Sequence, residues 1–295
     1  MLRTLRQARA ALSMLRPEEV RKLAERPVSF GLVAADDWGY TEMENFLLPD
    51  TMPRSLRLER ASQVHRAEER GAPEIVDIVL YHHGIPPGKG VFGFDPEKPD
   101  AAIGEILAGN EELGLPLARQ FPCFRKPVVE DIIQSVAREN ALFAVTTALP
   151  NVIPNLIELP WAFGEFASDT VFLTANQIRM AFVIGAASGR PIGLGQQKAE
   201  IGSVVAGAFG WRALARELAG MIPLGEGLIP KGAIAYAATF LIGKGLEHFY
   251  GANVPYTPEQ RVNTYKQALE RGKSVLRSLR PAQVAEPAEP AEPAQ

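Results

Sequence analysis

The sequence predicts an α/β plus α protein, in which a small degenerate P-loop-like α/β domain precedes an all-helical C-terminal domain. Two buried apolar runs, Val28 to Val33 and Ile75 to Tyr81, read as strands with a helix-forming stretch between them. Residues 33–41, Val-Ala-Ala-Asp-Asp-Trp-Gly-Tyr-Thr, join the first run to that helix in the frame of a phosphate-binding loop. From about residue 101 the strand signals stop, and apolar residues recur at helical spacing. Strand–loop–helix order followed by helices alone defines the class.

The phosphate-loop frame lacks its chemistry. A working loop reads Gly, four residues, then Gly-Lys-Ser/Thr. Ala34 stands at the first glycine, Gly39 at the second, Tyr40 at the lysine and Thr41 at the magnesium-binding hydroxyl. Asp36 and Asp37 fall where backbone N–H groups would cradle phosphates, and two carboxylates there repel an anion. Ala34, Gly39, Tyr40 and Thr41 are read as vestigial positions, with no catalytic residue, cofactor or metal assigned.

The remaining elements follow in order. Leu2, Leu5, Leu12, Leu15, Val20 and Leu23 recur at helical spacing among arginines, so residues 1–26 form a basic amphipathic helix, interrupted at Pro17 and closed by Pro27. Residues 27–113 are the degenerate GTPase-like region. Its first helix follows Thr41 through Met43 and Phe46 to Pro49, and Ser55 to Val64 supplies a middle strand. Residues 84–100 are loop, dense in Gly and Pro. Within it Gly88-Lys-Gly-Val-Phe-Gly93 spells a dinucleotide fingerprint, but Phe94-Asp-Pro-Glu-Lys-Pro follows where a helix should open. No cofactor is assigned there.

Residues 114–280 form the helical domain. Val128, Val129, Ile132, Ile133 and Val136 stripe a helix beginning near Pro127. Residues 140–157 carry no charge, yet Pro150 and Pro154 break the run, so a buried helix and kinked connection are expected rather than a membrane span. Ser168 or Asp169 caps the next helix, which runs through Phe172, Ile178 and Phe182 to Gly189. Gly202, Ala206 and Gly210 are spaced four apart, as are Ala235, Thr239 and Gly243, giving two rows of small residues that admit a close neighbour. Met221 to Pro230 joins them as a tight hairpin, read as soluble because Arg212, Arg216, Glu217, Glu226, Lys231 and Lys244 interrupt the apolar stretches. Gly251 is expected just past a helix ending at Tyr250, and Thr257-Pro-Glu-Gln260 as a capping box. Residues 281–295, with Ala-Glu-Pro repeating from Ala285, are a disordered tail.

At 295 residues, 46% hydrophobic and 22% charged, the chain can build two real cores. One cysteine, Cys123, excludes an intramolecular disulfide framework and fits a reducing cytoplasm. The first residues lack an apolar run with a cleavage site, so no signal peptide is read. The net charge of −3 is uneven: residues 1–16 carry +4, residues 261–280 carry +5 and the remainder −12. Basic ends read as solvated helix faces in the first place and, as the alternative, as contacts to an anionic membrane surface. No nucleic acid is expected, because the body is acidic and lacks an aromatic-plus-basic patch.

Several strings resemble a bacterial family of unknown function. They are Phe121-Pro-Cys-Phe-Arg125, Asn140-Ala-Leu-Phe, Leu149-Pro-Asn-Val-Ile-Pro154, Ser168-Asp-Thr-Val-Phe-Leu-Thr174 and Asn176-Gln-Ile-Arg179. Ala208-Phe-Gly-Trp-Arg-Ala-Leu-Ala-Arg-Glu217 and Ile229-Pro-Lys-Gly-Ala-Ile-Ala-Tyr-Ala237 extend the match over about residues 115–255. The family is domain of unknown function 697, the helical domain of YcjF-type proteins, often fused behind Era-like GTPase domains. The resemblance implies that the N-terminal half is a shrunken relative of that GTPase domain. Such a GTPase needs Asp-x-x-Gly after an acidic strand and Asn-Lys-x-Asp to read guanine. Asp77 is followed at the third position by Leu80, and no Asn-Lys-x-Asp occurs.

Other chemistry is thin. His82 and His83 are adjacent at a strand end and should point to opposite sides, a poor chelate. Gly189 to Gly195 is read as a helix-to-helix loop rather than an anion-binding loop beside Arg190. Trp38, Trp161 and Trp211 are read as core or interface anchors. The expected function is a non-catalytic interaction or membrane-surface-associated protein, cytoplasmic and at the inner membrane, with an anionic membrane surface and a protein as partners. The alternative is an atypical nucleotide-binding enzyme that uses an unconventional phosphate loop.

Overall fold

The computed structural model describes residues 16–67, 73, 75–83, 91–147, 169–202 and 228–278. Strands β1 (Phe30–Val33), β2 (Val64–Arg66), β3 (Ile78–His82) and β4 (Phe92–Phe94) form one parallel sheet in the order β2-β1-β3-β4. Phe30 faces Val64 on one side and Ile78 on the other, and Leu80 faces Phe92. Helix α1 (Pro17–Ala24) precedes the sheet, and α2 (Asp37–Leu47) and α3 (Arg54–Ala61) connect β1 to β2. After β4 come α4 (Pro99–Gly109), α5 (Gly114–Gln120), α6 (Pro122–Thr146), α7 (Asp169–Ala187), α8 (Leu228–Ala252) and α9 (Pro258–Ser278). The α/β plus α arrangement is therefore present.

Two cores organise the chain. Beneath the sheet, Phe30, Leu32, Met43, Leu47, Ile78 and Leu80 are closed over by Ile106, Leu117, Phe121 and Phe124. Phe121 meets Phe30 edge-on, with ring centroids 4.9 Å apart. The second core fills the space between α6, α7, α8 and α9 with Ile133, Phe182, Tyr236 and Leu276. Helix α5 serves both, because Leu117 faces the sheet core while Leu115 and Ala118 face the bundle. At its end Gln120 accepts from Val28 N at 3.2 Å and donates to Arg26 O at 2.7 Å, fixing the approach to β1. Helix α1 belongs to the bundle through Ala24 and Val20.

Several expectations are corrected. Ser55 to Val64 is not a strand: Arg54–Ala61 is helical, because Arg-Ser-Leu-Arg-Leu-Glu-Arg-Ala is rich in helix formers, and only Val64–Arg66 pairs with β1. The segment read as loop contains β4, whose Phe94 is buried against the sheet. Gly93, the last glycine of the apparent fingerprint, lies inside that strand, and residues 84–90 lie outside the described residues. Helix α6 begins at Pro122 rather than near Pro127, since Pro122 fits the first turn and Pro127 is carried within the helix. Helix α7 stops at Ala187, short of Gly189. Helix α8 runs past Gly251 to Ala252, and Asn253 takes the left-handed position at φ 58°. The Thr257 capping box forms as expected, with Gln260 N donating to Thr257 Oγ1 at 3.2 Å and Thr257 N to Gln260 Oε1 at 2.8 Å.

The small-residue row on α8 faces inward. A Cβ on Gly243 would come within 2.7 Å of Ile133, and Thr239 is fully buried. On the other row Gly202 is exposed and a Cβ there meets nothing within 4 Å. Ala206, Gly210, the Met221–Gly227 part of the connector, the first fifteen residues, the Ala-Glu-Pro tail, Trp161 and Trp211 lie outside the described residues. Among the described residues no helix is long and apolar enough to cross a membrane.

Candidate functional site

A parallel sheet offers ligands the crevice at the carboxyl ends of its strands, where neighbouring connections part. Here that place lies between β1 and β3, because the chain leaves β1 toward β2 and leaves β3 toward β4. The vestigial positions Ala34, Gly39, Tyr40 and Thr41 all sit there, and each is engaged by the protein itself.

Only Ala34, Ala35 and Asp36 separate β1 from α2, so the helix starts four residues before Thr41 rather than after it. Asp36 is the N-cap, in extended backbone, and its Oδ1 accepts from Gly39 N at 2.9 Å. A carboxylate at a helix N-terminus satisfies a free N–H and complements the helix dipole. Asp36 thus takes the place an anion would need. Gly39 is a packing glycine: a Cβ would lie 2.9 Å from the His82 ring and 3.0 Å from Ala34 Cβ. Tyr40 is buried in the sheet core, with the Arg66 guanidinium 5.1 Å from its ring centroid. The Thr41 hydroxyl turns back along the helix and donates to Asp37 O at 2.8 Å.

The strands beside β1 end in cationic or imidazole groups. Arg66, at the end of β2, donates to both Glu44 oxygens at 2.7 and 3.0 Å and to Asp37 at 3.1 Å. His82, at the end of β3, bonds Glu42 through Nε2 at 2.7 Å. Asp77 lies at the opposite end of β3, before the strand rather than within it. Its Oδ2 accepts from Ser29 N and Ser29 Oγ, both at 2.8 Å, and its Oδ1 from Arg26 at 3.2 Å. It is a tether between strand starts, remote from any metal-bound phosphate on this edge.

The His82 and His83 rings do not diverge, as strict strand alternation would require. Their centroids are 4.3 Å apart, because His83 is already in the turn after β3. No group of three or more His, Cys, Asp or Glu side chains among the described residues could hold a metal ion. Trp38 is 70% exposed on the first turn of α2, so it is not a core residue. Burial pushes the Cys123 thiol up to about 12, so the sole cysteine is a thiol rather than a thiolate at neutral pH.

A second polar cluster lies inside the bundle. Asn140 of α6 donates to Thr239 of α8 at 2.8 Å and accepts from Asn176 of α7 at 2.9 Å. Gln177 donates to Thr239 at 3.1 Å, and Arg179 and Asn176 both donate to Glu139 at 3.0 Å. The sequence signal was available: uncharged amides inside otherwise apolar helices, in the strings beginning at Asn140 and Asn176.

Comparison with known proteins adds no relative. No family model matches the chain, and neither the curated proteins nor the solved structures give a match.

Proposed function

We propose that this is a non-catalytic interaction protein, derived from a GTPase-plus-helical-domain ancestor and acting at an anionic membrane surface. The observation that carries the non-catalytic part is the Asp36 cap. A carboxylate bonded to Gly39 N at 2.9 Å excludes a phosphate from the only helix N-terminus that the frame could offer it. Tyr40 in the lysine's place supports the same reading, as do Arg66 and His82, which are already bonded to Glu44 and Glu42. The family resemblance over residues 115–255 supports the ancestry. The surface part rests on α9, which presents Arg261, Lys266, Arg271 and Arg277 on its exposed side.

Calorimetric titration of the full chain with magnesium–GTP and magnesium–ATP tests the first part. No heat that depends on residues 34–41 is expected. Micromolar binding abolished by Thr41→Ala would establish the alternative, an unconventional nucleotide site. Co-sedimentation with anionic vesicles, steeply weakened by salt, is the expected result for the second part. Equal pelleting with neutral and anionic vesicles would remove it.

A further inference from the structure

The α/β layer and the bundle meet along a cleft of about 410 Å³, a size suited to a small ligand. Its wall is strongly one-signed. Arg60 of α3, Arg119 of α5 and Arg125 of α6 line it with Thr51 and Ser188, and no carboxylate is among the described lining residues. None of these residues belongs to the sheet edge discussed above.

A structural role accounts for part of the cluster. Arg119 Nη1 donates to Ala186 O and Arg190 O at 3.0 Å, and Arg125 Nε donates to Ala187 O at 3.0 Å. Both cations thereby cap the carbonyl end of α7. The remainder is not accounted for. The terminal nitrogens of Arg125 have no hydrogen bond among the described residues. Glu25 approaches Arg119 only to 3.8 Å. Arg60 Nε is buried without a partner, and the ion pair of Arg60 with its neighbour Glu59 is loose at 3.4 Å.

These charges are also poorly solvated, Arg60 and Arg119 being 18% and 16% exposed. Burial, opposed by Glu25 and reinforced by Arg60, lowers the pKa of Arg119. Burial and then Arg119 lower that of Arg125. The start of α6 adds little to this wall, since Pro122 has no N–H and Phe124 N donates to Phe121 O at 3.1 Å. Three guanidiniums drawn together on one poorly hydrated wall favour an anion, and forked guanidiniums match phosphate oxygens in particular.

We propose that this cleft binds the phosphate group of a small phosphate ester, gripped by Arg60, Arg119 and Arg125, with the Ser188 and Thr51 hydroxyls as further donors. Met52 and Leu56 line the same space and would meet the carbon portion of the ester.

The test is calorimetric titration of the full chain with inorganic phosphate and with glycerol 3-phosphate, at ionic strength held constant with chloride. Both should bind, the ester more tightly. Arg60→Gln and Arg125→Gln should each weaken binding about tenfold, as loss of a charged hydrogen bond implies. Arg125→Lys should rescue little, because an ammonium lacks the fork. Lys98→Gln, an equal charge loss at an exposed residue just before α4, should leave binding unchanged. The loose Glu59 ion pair is the one polar side-chain contact of Arg60 among the described residues, so Arg60→Gln should keep the fold, which thermal unfolding checks.

A lipid source is separated by vesicles of phosphatidylcholine with or without phosphatidic acid. Pelleting that needs phosphatidic acid and Arg60, without soluble binding, would place the phosphate on a lipid headgroup and support the cleft. Absence of binding to all three probes, or binding untouched by Arg60→Gln and Arg125→Gln, would overturn it. The two readings fail separately: nucleotide heat lost in Thr41→Ala counts against the vestigial loop, whereas phosphate heat retained in Arg60→Gln counts against the cleft.

Discussion

The sheet rim and the bundle core use polar side chains in opposite ways. At the rim Arg66, Glu44 and Asp37 form ion pairs in reach of water, where such pairs contribute little to stability. They fill the carboxyl edge of the sheet with the protein's own side chains. In the core Asn140 and Thr239 are 0% exposed, and their partners sit on different helices. Those groups must find each other, because a buried polar atom left alone loses its water without compensation. The observed register of α6, α7 and α8 joins Asn140, Asn176 and Thr239 directly, and a slip of one helix would part them. The rim therefore joins side chains of one sheet edge, and the core sets how the helices stack.

The largest expected effect separates the two directly. Asn140→Ala removes the donor to Thr239 and the acceptor for Asn176, at a cost of about 2–4 kcal/mol in chemical denaturation. Glu44→Gln at the rim should cost less than about 1 kcal/mol in the same assay. Equal losses would erase the distinction. Next in size, Gly243→Leu forces side-chain atoms against Ile133 and should cost roughly 1–3 kcal/mol. Gly202→Leu, from the other small-residue row, should leave the melting temperature almost unchanged. A loss in Gly202→Leu alone would reverse which row packs.

Legibility in the sequence followed the length and purity of the local signal. Strands β1 and β3 were visible because Phe30, Leu32, Ile78 and Leu80 sit in continuous apolar runs. Strand β4 was hidden, since three residues flanked by Gly and Pro look like loop and only pairing with β3 makes them a strand. Leu56 and Leu58 alternate as a strand would, yet the arginines and glutamate between and around them favour helix. The two acids of the loop were seen as repelling phosphate, but the shortened turn that makes Asp36 a cap was not. The arginine cleft was illegible for a different reason. Arg60, Arg119 and Arg125 come from three helices, and no local pattern announces that the fold brings them to one wall.

The Asp36 cap provides a smaller test at the rim. Asp36→Ala exposes Gly39 N and should destabilise the protein by about 1 kcal/mol, whereas Asp36→Ser should recover most of that loss. If Asp36→Ala melts like the parent chain, the cap bond at the rim contributes nothing measurable.

The smallest effect tests whether the bundle also has a rim-like component. Lys244 of α8 donates to Glu130 of α6 at 2.8 Å, with side chains 24% and 31% exposed. Burial alone would raise the Glu130 carboxyl, but hydrogen bonds from Lys244 and Gln134 and the charges of Lys244 and Arg271 hold it below the usual range. Burial opposes the ammonium of Lys244 too, yet Glu130 and Glu247 raise its pKa. A depressed carboxyl stabilises the fold above its unfolded value, about 4.3, and that contribution is lost as pH falls through the folded value. A raised ammonium stabilises below its unfolded value, about 10.4, and that contribution is lost as pH rises through the folded one. The pair should therefore add a flat increment of at most about 1 kcal/mol between those limits, reduced by salt. Denaturation of Glu130→Gln across pH 3–10 should show a shallower acid limb than the parent chain. An unchanged acid limb would mean that this ion pair adds nothing measurable to the Asn140–Thr239 bond and the Gly243–Ile133 packing that join the two helices.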